Sequence, residues 1–261
     1  MTTIRAPAVA GTFYPGDGTL LREMLRKMLA EHPGSTRPPK AIIVPHAGYI
    51  YSGPVAASAY AQVAGGRDII HRVVLLGPSH HVAFPGLATT SAGGFATPLG
   101  VVNVDKPAMQ LLAALPQLQT LDQAHAREHS LEVQLPFLQL TLDHFTLVPL
   151  VVSGTGAQEV SDVLSVLWGG PETLIVVSSD LSHYHDYVTA RAMDHATTDA
   201  ITAMRSGDID PDHACGCEAV NGLLIAARQH GLHAETLDLR NSGDTAGPRD
   251  RVVGYGAYVF H

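Results

Sequence analysis

Three short apolar segments of the chain are each followed by side chains that bind metals or carry protons. AIIV is followed by His46, and VVLL leads through a Gly-Pro turn to His80 and His81. TLIVV is followed by Asp180 and His183. Imidazole is the commonest metal ligand and the usual proton carrier near neutral pH. Any one of these groups has an ordinary structural interpretation, such as an Asp that caps a turn. Their recurrence after three segments favours one shared site.

Two further segments carry candidate site residues. His129 lies in AREHSLEVQLPF, just before an apolar helix, where Glu128 and Ser130 are residue types that commonly act as caps. Cys215, in DHACGCEAV, also precedes a predicted helix, and the helix dipole with nearby imidazolium is expected to lower the pKa of its thiol. A lone Cys is more often a small core residue, so this segment alone is a weak signal. The chain lacks a nucleophile elbow and a P-loop, which favours a metal site over an acyl-enzyme.

The elements that must position these groups are predicted from short runs of branched apolar residues. Such runs, typical of strands buried on both faces of a parallel sheet, occupy residues 41–44, 73–76, 145–152 and 173–177. Longer amphipathic or Ala-rich segments alternate with them, which predicts a single α/β domain over residues 1–261 with a largely parallel central sheet flanked by helices. In such sheets the ligand site lies beyond the carboxyl ends of the strands, so residues distant in sequence converge there.

The remaining elements follow from periodicity and turn residues. Helices are predicted at residues 20–30, 54–63, 107–115, 131–142, 157–167, 188–204 and 218–229. Gly53 is the expected cap of the second helix and Pro54 its first residue. Pro136 implies a late start or a kink in the fourth. Residues 86–105 predict an inserted β-hairpin, and residues 252–260 predict a final strand.

Composition narrows the cellular setting and the partners. No segment approaches the roughly 20 apolar residues of a membrane span, and the N-terminus lacks a basic region followed by an apolar stretch. The net charge is −8 and the 16 Lys and Arg residues are scattered, which argues against nucleic acid as a partner. The two cysteines, separated by one glycine, suit reduced thiols in the cytoplasm rather than a disulfide. Nothing in the sequence predicts an oligomeric state.

Read together and in order, five segments resemble the MEMO family, called AmmeMemoRadiSam system protein B in prokaryotes. They are PHAGYIYSG, GPSHH, EHSLEVQLP, SSDLSH and the Cys215-Gly216 pair, and AGTFYP near the N-terminus matches the signature of the family. The resemblance covers nearly the whole chain. It implies a fold similar to that of the LigB-type, class III extradiol dioxygenases, which hold non-haem Fe(II) and cleave catechol rings.

The resemblance also implies roles for individual residues. His46 and His80 match the metal-site histidines of the family, and Cys215 matches its site cysteine. Asp180 and His183 match its S-S-D-x-x-H segment. By similarity to the dioxygenases, His183 takes the place of their catalytic base, and His129 takes the place of a histidine that orients the substrate.

One ligand departs from the usual oxygenase site. An oxygenase iron takes two His and one carboxylate, with open positions for substrate and O2, whereas the resemblance implies the thiolate of Cys215 as the third ligand here. Thiolate is softer, and it favours Cu or Zn relative to a carboxylate site without excluding Fe(II). The identity of the metal therefore stays open. Cys217 receives no role from the family.

Three functions are compatible with these residues. The first is a metal-dependent, dioxygenase-like oxidoreductase for a small aromatic or related substrate, with His183 as proton carrier. In this interpretation Tyr49 and Tyr51 line the substrate pocket or pack against the following helix, and His81 borders the pocket or faces solvent. The second is a non-catalytic metal, redox or peptide-binding module on the same fold. The third is a metal-assisted hydrolase.

Overall fold

A nine-stranded mixed sheet forms the centre of the fold in the computed structural model, which describes residues 3–261. Its four middle strands are parallel and lie in the order β2 (Ala41–Val44), β9 (Thr173–Ser178), β3 (Arg72–Pro78) and β8 (Thr146–Ser153). These strands match the four predicted apolar runs, except that β8 begins one residue later than the run predicted at residues 145–152. The prediction of an α/β fold with a parallel central sheet is confirmed.

Further strands extend this sheet at both sides. β12 (Val252–Phe260) pairs antiparallel with β2, and it also pairs with β10 (His183–His185) and β11 (Ala234–Asn241). On the other side, β4 (Gly86–Thr89) pairs antiparallel with β8 and parallel with β7 (Leu118–Thr120). The final strand has the bounds that the sequence predicts.

Helices cover both faces of the sheet. They are α1 (Gly18–Ala30), α2 (Tyr49–Val63), α3 (Lys106–Leu111), α4 (Asp122–Ala126), α5 (Leu135–Thr141), α6 (Ala157–Leu167), α7 (Tyr187–Thr202) and α8 (Cys217–Gln229). In β2, Ile42 and Val44 join one apolar core with α1, α2 and α5, whereas Ala41 and Ile43 join a second core with α6 and α8. Over residues 3–261, no helix has the length and apolarity needed to cross a membrane.

Helix α2 begins five residues earlier than predicted. Pro54 lies inside it and Gly48 is its N-cap, so the expectation of a start at Pro54 with Gly53 as cap is wrong. The early start is held by tertiary contacts: the Tyr49 backbone N–H donates to the Phe13 carbonyl at 2.8 Å, and the Tyr49 hydroxyl is also hydrogen-bonded. By contrast, α5 starts late with Pro136 in its first turn, one of the two alternatives predicted.

The inserted hairpin is formed by β5 (Gly94–Thr97) and β6 (Gly100–Asn103). Gly100 closes the turn with φ +127°, a conformation that glycine adopts readily. β1 (Ile4–Arg5) adds a third strand beside β5. The hairpin is shorter than the predicted range because residues 86–89 pair with the central sheet as β4.

Candidate metal centre

His46 follows β2, and its imidazole is hydrogen-bonded to a residue of the neighbouring strand β9. Its Nδ1 lies 2.9 Å from Ser178 Oγ at the end of β9, and its backbone N–H donates to Asp180 Oδ1 at 2.7 Å. The other ring nitrogen, Nε2, lies 3.3 Å from Cys215 Sγ. Burial of the ring, together with the charge of His80, lowers the pKa of His46 to about 3. The ring is therefore neutral near pH 7.

The hydrogen bonds of Ser178 decide which nitrogen of His46 carries the proton. The Ser178 hydroxyl donates its single hydrogen to the Ser130 carbonyl at 2.6 Å, and it accepts a bond from Gln134 Nε2 at 2.8 Å. Ser178 Oγ must then accept from His46, so Nδ1 is the protonated nitrogen. The lone pair on Nε2 is left for a metal, which is the usual arrangement behind a metal-binding histidine.

His80 follows β3 and is oriented by the carboxylate of Glu128. Its Nδ1 lies 2.8 Å from Glu128 Oε1, and its backbone N–H donates to Oε2 at 2.6 Å. Burial lowers the pKa of His80, but the hydrogen bond and charge of Glu128 outweigh it and raise the pKa above its ordinary value. Burial of Glu128 acts to raise its own pKa, yet the hydrogen bonds from His80 bring it well below its usual range. Nε2 of His80 is thus the ring nitrogen left for a ligand.

Cys215 lies two residues before α8 and supplies the third donor. Its Sγ and the donor nitrogens of His46 and His80 lie within 4.8 Å of one another. Bonds of about 2.0–2.3 Å to a tetrahedral metal place two ligand atoms roughly 3.5 Å apart, so small side-chain shifts close this site around one ion. The chemistry of the donor set, two imidazoles and a sulfur, fits a transition metal.

The predicted lowering of the Cys215 pKa is wrong. Burial raises the pKa of this thiol, and the charge of Asp180 raises it further. The expected imidazolium is also missing, because the neighbouring His46 ring is neutral near pH 7. The apo thiol is therefore protonated, and a metal must displace its proton. Burial likewise raises the pKa of the Cys217 thiol, to about 11.

A second group of possible ligands, formed by His80, Glu128 and His129, is less suited to a metal. The Glu128 carboxylate already accepts bonds from the backbone N–H groups of His80, His129 and Ser130 and from the His80 ring. Three of these bonds go to Oε1 and one to Oε2, so Oε1, the oxygen beside the His80 and His129 rings, has no lone pair left for an ion. Glu128 acts as the residue that orients His80.

A cavity of about 720 Å³ opens in front of the three donor atoms. Its lining includes the predicted residues Asp180 and His183, together with His129. The His129 ring stacks on that of His80 with centroids 4.7 Å apart, and burial, with the charge of His46, lowers the pKa of His129 to about 4. Burial raises the pKa of Asp180, whose Oδ2 lies 4.0 Å from His46 Nε2.

Of the three predicted pocket residues, one lines the cavity and two do not. Tyr51 lines the cavity. Tyr49 does not, and its prediction as a pocket residue is wrong: it is 2% exposed, and its hydroxyl donates to the Val133 carbonyl at 2.6 Å. His81 is exposed, its ring lies 6.4 Å from that of His129, and it is not among the described residues that line the cavity. Of the two predicted alternatives, a residue at the border of the pocket or one facing solvent, the second applies.

Sequence reasoning missed the residues that support the ligands. Glu128 and Ser130 have the residue types of helix caps, and Glu128 does accept the Ser130 N–H, but it also holds His80 from 48 residues away. Ser178 sits at the end of a strand, where nothing local marks it as a partner of His46. The only available signal is that all three lie in segments that already carry a candidate histidine or carboxylate.

Replacing Glu128 with glutamine is expected to weaken metal binding by about 10–100-fold, the usual cost of losing a partner behind a ligating histidine. The amide cannot accept bonds at both of its ends from the His80 ring and backbone. Competition with a chelator measures the affinity. Glu159→Gln, at an exposed position of α6, is the control and should bind metal as the wild type does. Unchanged affinity in Glu128→Gln would contradict the role of Glu128.

Gly216 permits the close approach of the Cys215 segment to the end of β9. A Cβ there would lie 2.8 Å from Ser179 Cβ and 3.0 Å from the Ser178 carbonyl oxygen. Gly216→Ala should therefore displace the thiol and weaken metal binding by about tenfold or more. Gly207→Ala, where a Cβ would meet nothing within 4 Å, is the matched control. Equal metal affinities of the two variants would argue against this packing constraint.

Comparison with known proteins identifies the family of the chain. The chain matches the sequence model of a family described as Memo-like protein over residues 5–259. It is 35% identical over 268 residues to a MEMO1 family protein of Aquifex aeolicus, covering 98% of this chain and 99% of that protein. It is 34% identical over 278 residues to a MEMO1 family protein of Nitrosopumilus maritimus, covering 98% and 99%.

The fold also has a counterpart among solved structures. The crystal structure of an uncharacterized protein from Escherichia coli K12 superposes with a TM-score of 0.50 at 14% identity, covering 85% of this chain and 100% of that chain. A likeness at this identity concerns the fold alone. The family match and the relatives confirm the resemblance carried by the five motifs, and the chain belongs to the Memo-like family.

Proposed function

We propose that the chain is a metal-dependent oxidoreductase with a dioxygenase-like site, acting on a small aromatic or related molecule. The observation that carries this proposal is the convergence of His46, His80 and Cys215 donor atoms within 4.8 Å on the wall of a cavity of about 720 Å³. A cavity of this volume lies within the range of about 300–1,000 Å³ typical of small-molecule sites.

The donor set supports a resident transition metal with open positions. Three protein ligands leave room for substrate, as in catalytic rather than closed structural sites. Iron(II) suits an enzyme of this kind, while the thiolate favours Cu or Zn. When bound, such a metal supplies Lewis-acid and, for Fe or Cu, redox chemistry at the wall of the cavity.

The other polar residues of the cavity have distinct tasks in this proposal. The neutral His129 ring, stacked on His80, lies where it can hydrogen-bond and orient a substrate hydroxyl. His183, at the start of β10, is the proton carrier. The backbone N–H of His46 fixes Asp180, which keeps its carboxyl group beside the donor atoms. Phe13 and Ile50 supply an apolar wall for a ring.

The proposal is tested by anaerobic reconstitution with Fe(II), Cu(I) and Zn(II), followed by oxygen consumption measured across a panel of catechols. We expect oxygen uptake with at least one redox-active metal, and its loss in His46→Ala, His80→Ala and Cys215→Ala with circular dichroism unchanged. Stoichiometric metal without turnover in any condition would overturn the enzyme and leave the non-catalytic metal, redox or peptide-binding module. Substrate conversion that persists without oxygen would indicate the metal-assisted hydrolase.

A further inference from the structure

We propose that the cavity selects aromatic substrates that carry a positively charged amino group, and that Asp212 at its mouth is the residue that selects them. This inference rests on the proposed function, because it names the substrate class of the same site. Its basis is the charge and the aromatic character of the cavity wall, both of which are independent of the metal.

Apart from its histidines, the charged side chains of the cavity wall are carboxylates. Two carboxyl groups line the cavity, those of Asp180 and Asp212, and no Lys or Arg is among the described residues that line it. A bound divalent metal and the Cys215 thiolate would together leave one positive charge at the metal centre, where the aromatic end of the substrate would lie, so Asp212 at the mouth is the charge that the rest of the substrate meets. A substrate carboxylate would face like charge, and like charges at close range are unfavourable.

Three of the five histidines that line the cavity, His46, His80 and His129, belong to the metal centre or stack on it. His46 is bonded through Nδ1 to Ser178 Oγ and presents Nε2 to Cys215, and the His129 ring stacks on that of His80 with centroids 4.7 Å apart. Any positive charge on His80 is matched by Glu128, whose Oε1 lies 2.8 Å from its Nδ1.

Asp212 is available to a ligand, whereas its neighbour Asp210 is not. Asp210 Oδ1 lies 2.7 Å from His213 Nδ1 and accepts backbone N–H bonds from the same turn. The Asp212 carboxylate, exposed at the mouth, makes no hydrogen bond or ion pair with any residue in the described part of the chain. An ammonium group entering the cavity would be its first partner.

Aromatic rings on the same wall add a second attraction for a cation. Phe13, Tyr51 and Tyr184 all line the cavity, and aromatic faces attract ammonium groups within about 6 Å. The Tyr184 ring already attracts one cation, since the Arg251 guanidinium lies 4.4 Å from its centroid. Arg251 itself is exposed and is not among the described residues that line the cavity.

The test compares three catechols that differ mainly in the charge at the end of the side chain. The Zn(II)-loaded protein is titrated anaerobically with dopamine, 4-ethylcatechol and 3,4-dihydroxyphenylacetate in a calorimeter at pH 7.5 and low salt. Dopamine should bind about tenfold more tightly than the carboxylate, the ratio that a single charge contact near a surface can supply. Added salt should shrink the ratio, because Asp212 is exposed.

Two variants that each remove one negative charge test whether Asp212 is the source of the selectivity. Asp212→Asn should reduce the preference for dopamine over 3,4-dihydroxyphenylacetate, expressed as the ratio of their dissociation constants, by at least about threefold. A loss of this size is what an exposed charge contact typically contributes. Asp162→Asn, on the exposed face of α6, should leave the ratio unchanged. Equal or tighter binding of the carboxylate, or an unchanged ratio in Asp212→Asn, would overturn this inference while leaving the proposed function standing. Absence of binding by all three catechols would overturn the proposed function, and with it the inference.

Discussion

Cys215→Ala is expected to weaken metal binding by more than about 100-fold, the upper end of what loss of a supporting residue costs. The reason is direct: the substitution removes the sulfur that lies 3.3 Å from His46 Nε2 and leaves two imidazoles, too few ligands for a firmly held ion. The measurement is a chelator competition with Zn(II) and Cu(I), together with metal content after dialysis. The soft ion Cu(I) should lose more affinity than Zn(II), because it depends more on the thiolate.

Cys217→Ala is the matched control for this prediction. Cys217 is 6% exposed and belongs to the apolar core on the α8 side of the sheet, so its sulfur faces away from the described cavity lining. Its removal should leave the metal affinity within about threefold of the wild type, since no ligand is lost. A large loss in Cys217→Ala with little loss in Cys215→Ala would reverse the assignment of the thiol ligand.

Glu132→Gln is expected to lower the free energy of unfolding by about 3–5 kcal/mol, the cost of leaving a buried charge without its partner. The Glu132 side chain is fully buried and forms an ion pair with Arg5. It also accepts bonds from the Tyr14 hydroxyl at 2.6 Å and from the backbone N–H groups of Ala8 and Val9 at 2.7 and 3.0 Å. This one carboxylate therefore anchors the N-terminal segment, including AGTFYP, to the body of the fold.

Urea unfolding of the apo protein measures this loss. Asp143→Asn supplies the comparison, because Asp143 forms an ion pair with Arg67 at 2.7 Å in which both side chains are about half exposed. Breaking an exposed pair should cost less than about 1 kcal/mol. If the two variants lost similar free energies of unfolding, burial would not explain the contribution of the Glu132 ion pair to stability.

The central elements could be predicted because their signals are local. Helix α6 and strand β12 have the bounds that periodicity and composition indicate, since each carries a continuous pattern over its own length. Strand β11 was missed: ETLDLR alternates polar and apolar residues at partial exposure, and the strand is stabilised by pairing with β12. The short elements α4 and β7 were missed for a similar reason, because a few residues carry too little pattern of their own.

Part of the candidate site was also predictable. Parallel strands end at one edge of their sheet, so the residues that follow β2, β3 and β9 had to meet, and His46, His80 and Asp180 do lie together. Cys215 was different, since its segment alone was a weak signal and the family resemblance singled it out. Tyr49 and Tyr51, two residues apart, could not be told apart before the start of α2 was known.

By itself, the sequence of this protein determined the parallel core, the strand ends that carry the histidines and the family to which the chain belongs. Tertiary structure alone decided which nitrogen of each histidine is free, because Ser178 and Glu128 reach those rings across 132 and 48 positions of sequence. It also decided the direction in which the pKa of the Cys215 thiol shifts and the burial of Tyr49 away from the cavity. Hydrogen bonding and burial are set by neighbours in space, and residue order alone does not name those neighbours.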